Sequence, residues 1–355
     1  MAEPVAPDAP HWTEPGAWPV AAGVHRIPLP LPMDGLRAVN VYAIETDLGL
    51  TLVDGGWALD ESRKALDAAL GTIGYTAKDI TRFLVTHAHR DHYTQAVIVR
   101  REFGSHVSLG IGERPTLLHM MNPPTHIERE IVAQLRRCGA PDLADEWSRN
   151  LAEGPAPLKP WELPDTFLDG EVAIELGGRA LDAVPTPGHT QGHYVFHDRE
   201  AGLLFAGDHI LPTITPSIGF EPVQAELPLG DYLSSLAKVR ARPDASLLPA
   251  HGPVWSSAHA RIDELLAFHR DRLADSARVV DGGGRTAHEV ARGLSWTRRD
   301  RSLSELQTFD RALAVMETRA HLEVLVRDGT LRVEIVDGVG VYFRAPAPAE
   351  LSAQP

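Results

Sequence analysis

The chain reads as an α/β protein followed by a small C-terminal domain of helices and a two-stranded wing, and three observations carry that reading. Short β-branched or apolar runs, such as residues 39–46 (VNVYAIET), 50–53 and 80–85, alternate with stretches of helical spacing such as 59–70. Loops bearing His and Asp follow several of those runs, the usual place for ligands in α/β folds. Past a Gly-rich linker at 281–285 the composition shifts: residues 276–345 hold 11 Arg, no Lys and 10 acids, a local charge of +1 against −15 for the rest.

The elements follow in order. Residues 1–22 are rich in Pro and Ala without periodicity and are expected to form a disordered arm. Residues 39–46 and 50–53, split by Asp47-Leu48-Gly49, predict a hairpin, and 80–85 a buried strand. Residues 113–153 predict two helices, with apolar Ile127, Ile131 and Leu135 and a break at Gly139-Ala140-Pro141, expected as an insertion covering one side of a site. Strands are expected near 172–176, 180–184, 194–197, 203–206 and 247–249, with helices over 231–240 and 258–276. Residues 286–294 and 302–327 predict helices, and 331–336 and 341–344, joined across Asp337-Gly338, a hairpin. Helices followed by a wing suggest a winged-helix-like domain over 276–345, after a main domain over 23–275 and before a tail at 346–355.

Composition narrows the function. In 355 residues there is one cysteine, Cys138, which excludes an internal disulfide and a Cys-built zinc site. No run approaches the ~18 apolar residues of a membrane span, and the N-terminal stretch has neither the basic nor the apolar region of a secretory signal, so a cytoplasmic location is expected. A net charge of −14 disfavours non-specific binding to nucleic acid.

Seventeen histidines against 34 Lys and Arg is a high ratio, and their placement points to metal chemistry. In Thr86-His87-Ala88-His89-Arg90-Asp91-His92, four ligand-type side chains lie within six residues. On a turning loop His87 and His89 can point one way, while Asp91 and His92 turn toward a second point. Neutral imidazoles with a carboxylate suit zinc and its neighbours. His189, Asp208 and His251 each sit in a Gly- or Pro-bearing loop near a predicted strand. Lone loop histidines such as His11, His25, His119, His259 and His288 are expected to be ordinary solvated or hydrogen-bonded side chains.

On these residues the chain resembles the metallo-β-lactamase fold superfamily over 24–275, with all five sequence blocks: Asp54, then His87/His89/Asp91/His92, His189, Asp208 and His251. The resemblance implies an αββα sandwich with two metals at one edge of paired sheets. It implies His87, His89 and His189 around the first metal, Asp91, His92 and His251 around the second, Asp208 bridging, and Asp54 orienting ligands from behind. Two divalent ions are implied, Zn2+ first with Mn2+ or Fe2+ as alternatives, and would generate a bridging hydroxide. Asp91 and His193 are the expected catalytic groups, and Met33, Trp57, Met120, Phe220 and Tyr232 the expected pocket wall. Cys138 lies far from every block, unlike the cysteine ligand of the best-known β-lactamases, and Asp208 is the bridge that other β-lactamases lack. The set resembles glyoxalase II, lactonases and nucleases of the superfamily, and the C-terminal part resembles a branch of β-lactamase-like hydrolases that includes thioesterases and an endoribonuclease. The expected activity is hydrolysis of a thioester, ester or lactone of a small organic acid, with Arg100, Arg101 or Arg136 as local basic contacts. Alternatives are a single-strand endoribonuclease, a non-enzymatic winged-helix regulator, or oxidative use of the site as in persulfide dioxygenases or flavodiiron proteins. The expected partners are a small acyl substrate and, in a homodimer, a second copy of the chain; the C-terminal domain is expected either to pack beside the active site or to form the dimer contact.

Overall fold

The computed structural model describes residues 11–32, 35–122, 127–152, 160–297 and 300–346. It divides into two compact units: residues 1–124, 157–216 and 230–266, and residues 125–156, 217–229 and 267–355.

The first unit holds two sheets. One has seven strands in sequential order: β1 (Trp18–Ala21), β2 (Val24–Pro30), β3 (Ala38–Thr46), β4 (Gly49–Val53), β5 (Ile80–Leu84), β6 (His106–Gly110) and β7 (Thr166–Leu168). Strands β1 to β4 pair antiparallel, and β4 to β7 parallel. The second sheet has the order β12-β11-β10-β9-β8, from β8 (Val172–Glu175), β9 (Ala180–Pro185), β10 (Tyr194–Asp198), β11 (Leu203–Gly207) and β12 (Ser246–Pro249), with β11 and β12 parallel. Helices α1 (Asp60–Thr72), α2 (Arg90–Phe103) and α3 (Arg114–Met121) come from the first half of the chain.

The first sheet is apolar on both faces, which is why its strands read as near-continuous hydrophobic runs. Val39, Val41 and Ala43 of β3 join Leu66, Leu70, Ala96 and Val97 of α1 and α2 in one core. The alternate side chains Tyr42 and Ile44 join Phe196, Phe205 and Leu248 of the second sheet in another. Helix α6 (Pro228–Arg240) lies against the second sheet, where Lys238 Nζ donates to Pro185 O at 2.7 Å and Ser235 Oγ to Pro187 O at 2.8 Å. The layers are therefore helix, sheet, sheet, helix. Helix α7 (Ala258–Val280) gives its residues to Leu266 to this unit and the rest to the second.

The second unit gathers α4 (Ile127–Arg137), α5 (Pro141–Ala152), the later part of α7, α8 (Ala287–Arg292), α9 (Thr308–Arg327) and a three-stranded sheet. In that sheet β15 (Val339–Arg344) lies between β13 (Arg285–Thr286) and β14 (Leu331–Val336), and Asp337-Gly338, both at positive φ, turn the β14–β15 hairpin.

Several expectations change. Among the described residues, 113–153 hold three helices, α3, α4 and α5, where two were expected, and the C-terminal sheet has three strands where a two-stranded wing was expected. Residues 18–21 are a strand: the edge of β2 offers unpaired backbone groups, and β1 takes them. Arg26 Nη1 also donates to Trp12 O, ordering the segment before it. The boundary expected at 276 is displaced, because the apolar faces of α4 and α5 (Ile131, Leu135, Leu143, Ala144) are sealed by Val290, Ala312 and Val315 of α8 and α9. The helix expected over 302–327 is broken into a 3-10 turn at Leu303–Glu305 and α9. The tail from 347 lies outside the described residues.

Candidate metal centre

Every ligand-type residue singled out from the sequence emerges beyond the end of a strand of the first unit. Asp54 follows β4, the 86–92 loop follows β5 and opens α2, His189 follows β9, Asp208 follows β11 and His251 follows β12. Glycine is required at several of these junctions, as two of them illustrate. Gly207 has φ +51, and a Cβ there would stand 2.7 Å from Thr86 Cβ and 2.8 Å from His193 Nε2. At Gly55 a Cβ would meet the α2 backbone, 2.7 Å from Ala96 N.

The side chains gather into two groups. His87, His89, His189 and Asp208 place one ligand atom each within 4.8 Å of the others, and so do Asp91, His92 and His251. Asp208 faces both groups with different oxygens. Its Oδ2 lies 3.6 Å from His189 Nε2, and its Oδ1 lies 3.6 Å from His92 Nε2 and 3.4 Å from His251 Nε2. Asp91 Oδ2 completes the second group at 3.6 Å from His92 Nε2 and 3.5 Å from His251 Nε2.

Groups behind the ligands set their tautomers. His251 Nδ1 donates to Ala38 O at 2.8 Å and His92 Nδ1 to Asp54 Oδ2 at 2.9 Å, so each turns its Nε2 inward. Asp54, at φ +63, also takes Thr86 N at 2.8 Å and Thr86 Oγ1 at 3.0 Å, and Thr86 Oγ1 in turn lies 3.0 Å from His87 Nδ1. The His251 loop is strapped to β3: Asn40 Nδ2 donates to Pro249 O and Gly252 O, Tyr42 Oη to Pro249 O, and Ala250 O accepts from Asn40 N. His87 Nε2, His92 Nε2, His251 Nε2 and Asp208 Oδ1 are buried and receive no hydrogen bond from the protein. Buried polar atoms without protein partners in each of the two groups fit divalent cations.

Charge agrees with this. Burial and the surrounding imidazoles hold His87 well below its ordinary value. Burial opposes charge on His92 too, yet Asp91, Asp54 and Asp208 outweigh it and push it up to about 10. His251 is raised likewise against its burial, by Asp208 and Asp91. A cation entering the second group therefore displaces protons held there by carboxylates.

Other expected residues fall elsewhere. His193 is fully buried: Asp208 N donates to its Nε2 at 3.2 Å, its Nδ1 lies 2.9 Å from Thr186 Oγ1, and its ring stacks on His87 at 5.0 Å. It supports the Asp208 backbone and has no exposed edge for a substrate. Phe220 packs edge-on to Trp147 and Phe309 at 5.7 and 5.6 Å within the second unit. Tyr232 is fully buried and donates to His209 O at 3.0 Å. Tyr232 has its apolar surface covered by core and lines no pocket, whereas Phe220 is half-buried against its two aromatic neighbours. Met120 is half-buried on α3, and Met33 lies outside the described residues. Trp57 is half-buried and carries the Arg90 guanidinium over its ring at 4.1 Å, between His89 and Asp91 in the chain. The expected basic contacts are committed to acids: Arg100 to Glu162 at 2.5 Å and Asp165 at 3.3 Å, Arg101 to Glu162 at 2.5 Å, and Arg136 to Asp145 at 2.7 Å.

Two residues escaped the sequence reading. Arg90 lies inside the ligand motif, the one signal that pointed to it. Glu113, fully buried just after β6, takes Thr190 Oγ1 and, at 3.2 Å, Gly192 N on Oε1, and so clamps the loop of His189. No feature of its neighbourhood in the chain marks it.

The description "Metallo-beta-lactamase superfamily" fits residues 34–274. The chain belongs to the metallo-beta-lactamase superfamily. It is similar to the probable metallo-hydrolase YqjP of Bacillus subtilis, 24% identical over 332 residues that span 90% of this chain and 96% of the relative. It is also similar to the atrochrysone carboxyl ACP thioesterase AgnL7 of Paecilomyces divaricatus, 29% identical over 202 residues, 54% of this chain and 61% of that one. Among solved structures, the metallo-beta-lactamase family protein TTHA1429 of Thermus thermophilus matches with a TM-score of 0.74 and 28% identity, covering 92% of this chain and all of that one. A beta-lactamase domain protein of Burkholderia ambifaria shares the fold at a TM-score of 0.75 and 24% identity, over 97% and 99%. This superfamily member is a metallo-hydrolase whose His/Asp clusters suit a pair of divalent cations. Among the described residues no helix is long and apolar enough to cross a membrane.

Proposed function

We propose that the protein hydrolyses a thioester, or a related ester or lactone, of a small organic acid, with zinc as its first-choice metal and manganese or iron as alternatives. The observation that carries the reading is the Asp208 carboxylate, whose two oxygens face two separate ligand groups. His87, His89 and His189 would hold one cation, Asp91, His92 and His251 the other, and Asp208 both. Cations so held would supply an activated water at neutral pH and polarise the acyl oxygen. Asp91, with more side-chain exposure than Asp208 (15% against 9%), takes the proton of the attacking water and returns it to the leaving thiolate or alkoxide. Asp54 and His193 keep the ligands in register from behind.

The choice of an acyl substrate over RNA rests on charge. An RNA-cleaving site must satisfy several phosphates with Lys or Arg. Here Arg100, Arg101 and Arg136 are bound to carboxylates and are not spare for phosphates. The thioesterase name of one relative supports the same class.

The test compares kcat/KM of the zinc-loaded enzyme on acyl-CoA, acyl-glutathione, ester and lactone substrates with cleavage of single-stranded RNA. Turnover of an acyl substrate that Asp208→Ala abolishes is the expected result. RNA cleavage abolished by Asp208→Ala, with no acyl substrate consumed, would reverse the assignment.

A further inference from the structure

The second unit carries a group of ligand-type side chains that the hydrolytic centre does not use. His269 lies on the later part of α7, and Glu317 and His321 lie one turn apart on α9, so both face the same way. One ligand atom from each of the three falls within 4.8 Å of the others. Both imidazoles are fully buried, their rings stacked at 5.2 Å and 27°.

The tautomers are legible. His321 Nδ1 donates to Glu317 O, 2.8 Å away in the preceding turn, so its Nε2 carries the lone pair. That lone pair points at His269 Nδ1, 3.1 Å distant. The same separation suits two nitrogens sharing one ion: at zinc–nitrogen lengths of about 2.0–2.1 Å, ligands near the tetrahedral angle stand about 3.3 Å apart.

We infer that His269, Glu317 and His321 form a third metal site, a structural one for a zinc-like divalent ion, which ties α7 to α9 within the second unit. Two imidazoles and a carboxylate are three of the four donors zinc takes, and a water would complete the set. On binding, His321 keeps its bond to Glu317 O, and His269 moves its proton from Nδ1 to a buried Nε2 that has no protein acceptor, a cost the two metal–nitrogen bonds must offset. Glu317 binds as the carboxylate and releases any proton it holds to solvent. The neighbouring cation, Arg272, is turned to other partners: it donates to Ser295 O at 2.9 Å and lies over the Trp296 ring at 4.2 Å. The site is independent of the hydrolytic reading, since none of its residues belongs to the Asp208 groups.

The experiment uses the full chain, stripped with chelator and dialysed against excess zinc. Elemental analysis is expected to give three equivalents for the wild type. Glu317→Gln and His269→Asn are expected to give two with hydrolysis unchanged, and Asp208→Ala to keep the third equivalent. Anomalous scattering at the zinc edge is expected to show a peak between His269, Glu317 and His321. A wild-type crystal with the two hydrolytic positions filled and no such peak would overturn the inference, whether or not the variants fold. So would folded variants that retain all three equivalents. Failure of the hydrolytic reading shows separately, as empty Asp208 groups or no acyl turnover.

Discussion

Asp208 and Asp91 are both carboxylates of one centre, yet their surroundings assign them different work. Asp208 reaches the His189 side with one oxygen and the His92 and His251 side with the other, whereas Asp91 touches the second group alone. Asp208→Ala should therefore lower occupancy of both cations, and Asp91→Ala should spare the first. Both should lose about a thousandfold in kcat. Equal metal content in the two variants would contradict the division. His193 makes a finer case. It accepts the N–H of Asp208, so His193→Ala leaves that buried donor unmet and lets the carboxylate drift. Loss of about 10–100-fold in metal affinity at both groups is expected, with KM for the loaded enzyme little changed. Partial rescue by His193→Gln, whose amide oxygen can accept the same hydrogen bond, would separate this positioning role from proton transfer.

At the scale of elements, the ligand set was legible because it is local: four side chains in one loop, then single residues after apolar strands. What stayed hidden was contact between distant segments. Arg100 and Arg101 looked like substrate contacts until Glu162, 61 or 62 positions away, proved to hold them. Glu113 clamps the His189 loop across 77 positions. The short strands β1 and β13 carry no pattern of their own and exist because a neighbouring edge needed a partner. Helices α4 and α5 were recognisable, but an amphipathic stripe does not name the surface that covers it. Cys138 tests that packing. It follows α4, its thiol is buried with Ala287 and Val290 near by in the same core, and burial pushes it up to about 12. Alkylation at pH 8 should run about a hundredfold slower in native protein than in denaturant. Rapid native labelling would show that α4 opens from α8 and α9 far more readily than this core allows.

For the whole molecule, the strap between β3 and the His251 loop sets an order of events. Ala38 and His251 stand 213 positions apart in the chain, and their hydrogen bond forms only once both sheets of the first unit have met. Contacts of such separation are made late, after the entropy of closing a long loop has been spent. The complete seven-ligand centre therefore exists only on the native side of the folding barrier, and its cations select a finished protein instead of guiding a growing one. Zinc in the refolding buffer should leave the folding rate constant unchanged while slowing unfolding in proportion to its occupancy. A folding limb that accelerates with zinc would mean that the 86–92 loop captures metal before the strap closes. The practical corollary concerns supply. Newly made chains would wait as folded, metal-free molecules, and the abundance of active enzyme would follow free metal at the moment after folding, not during synthesis.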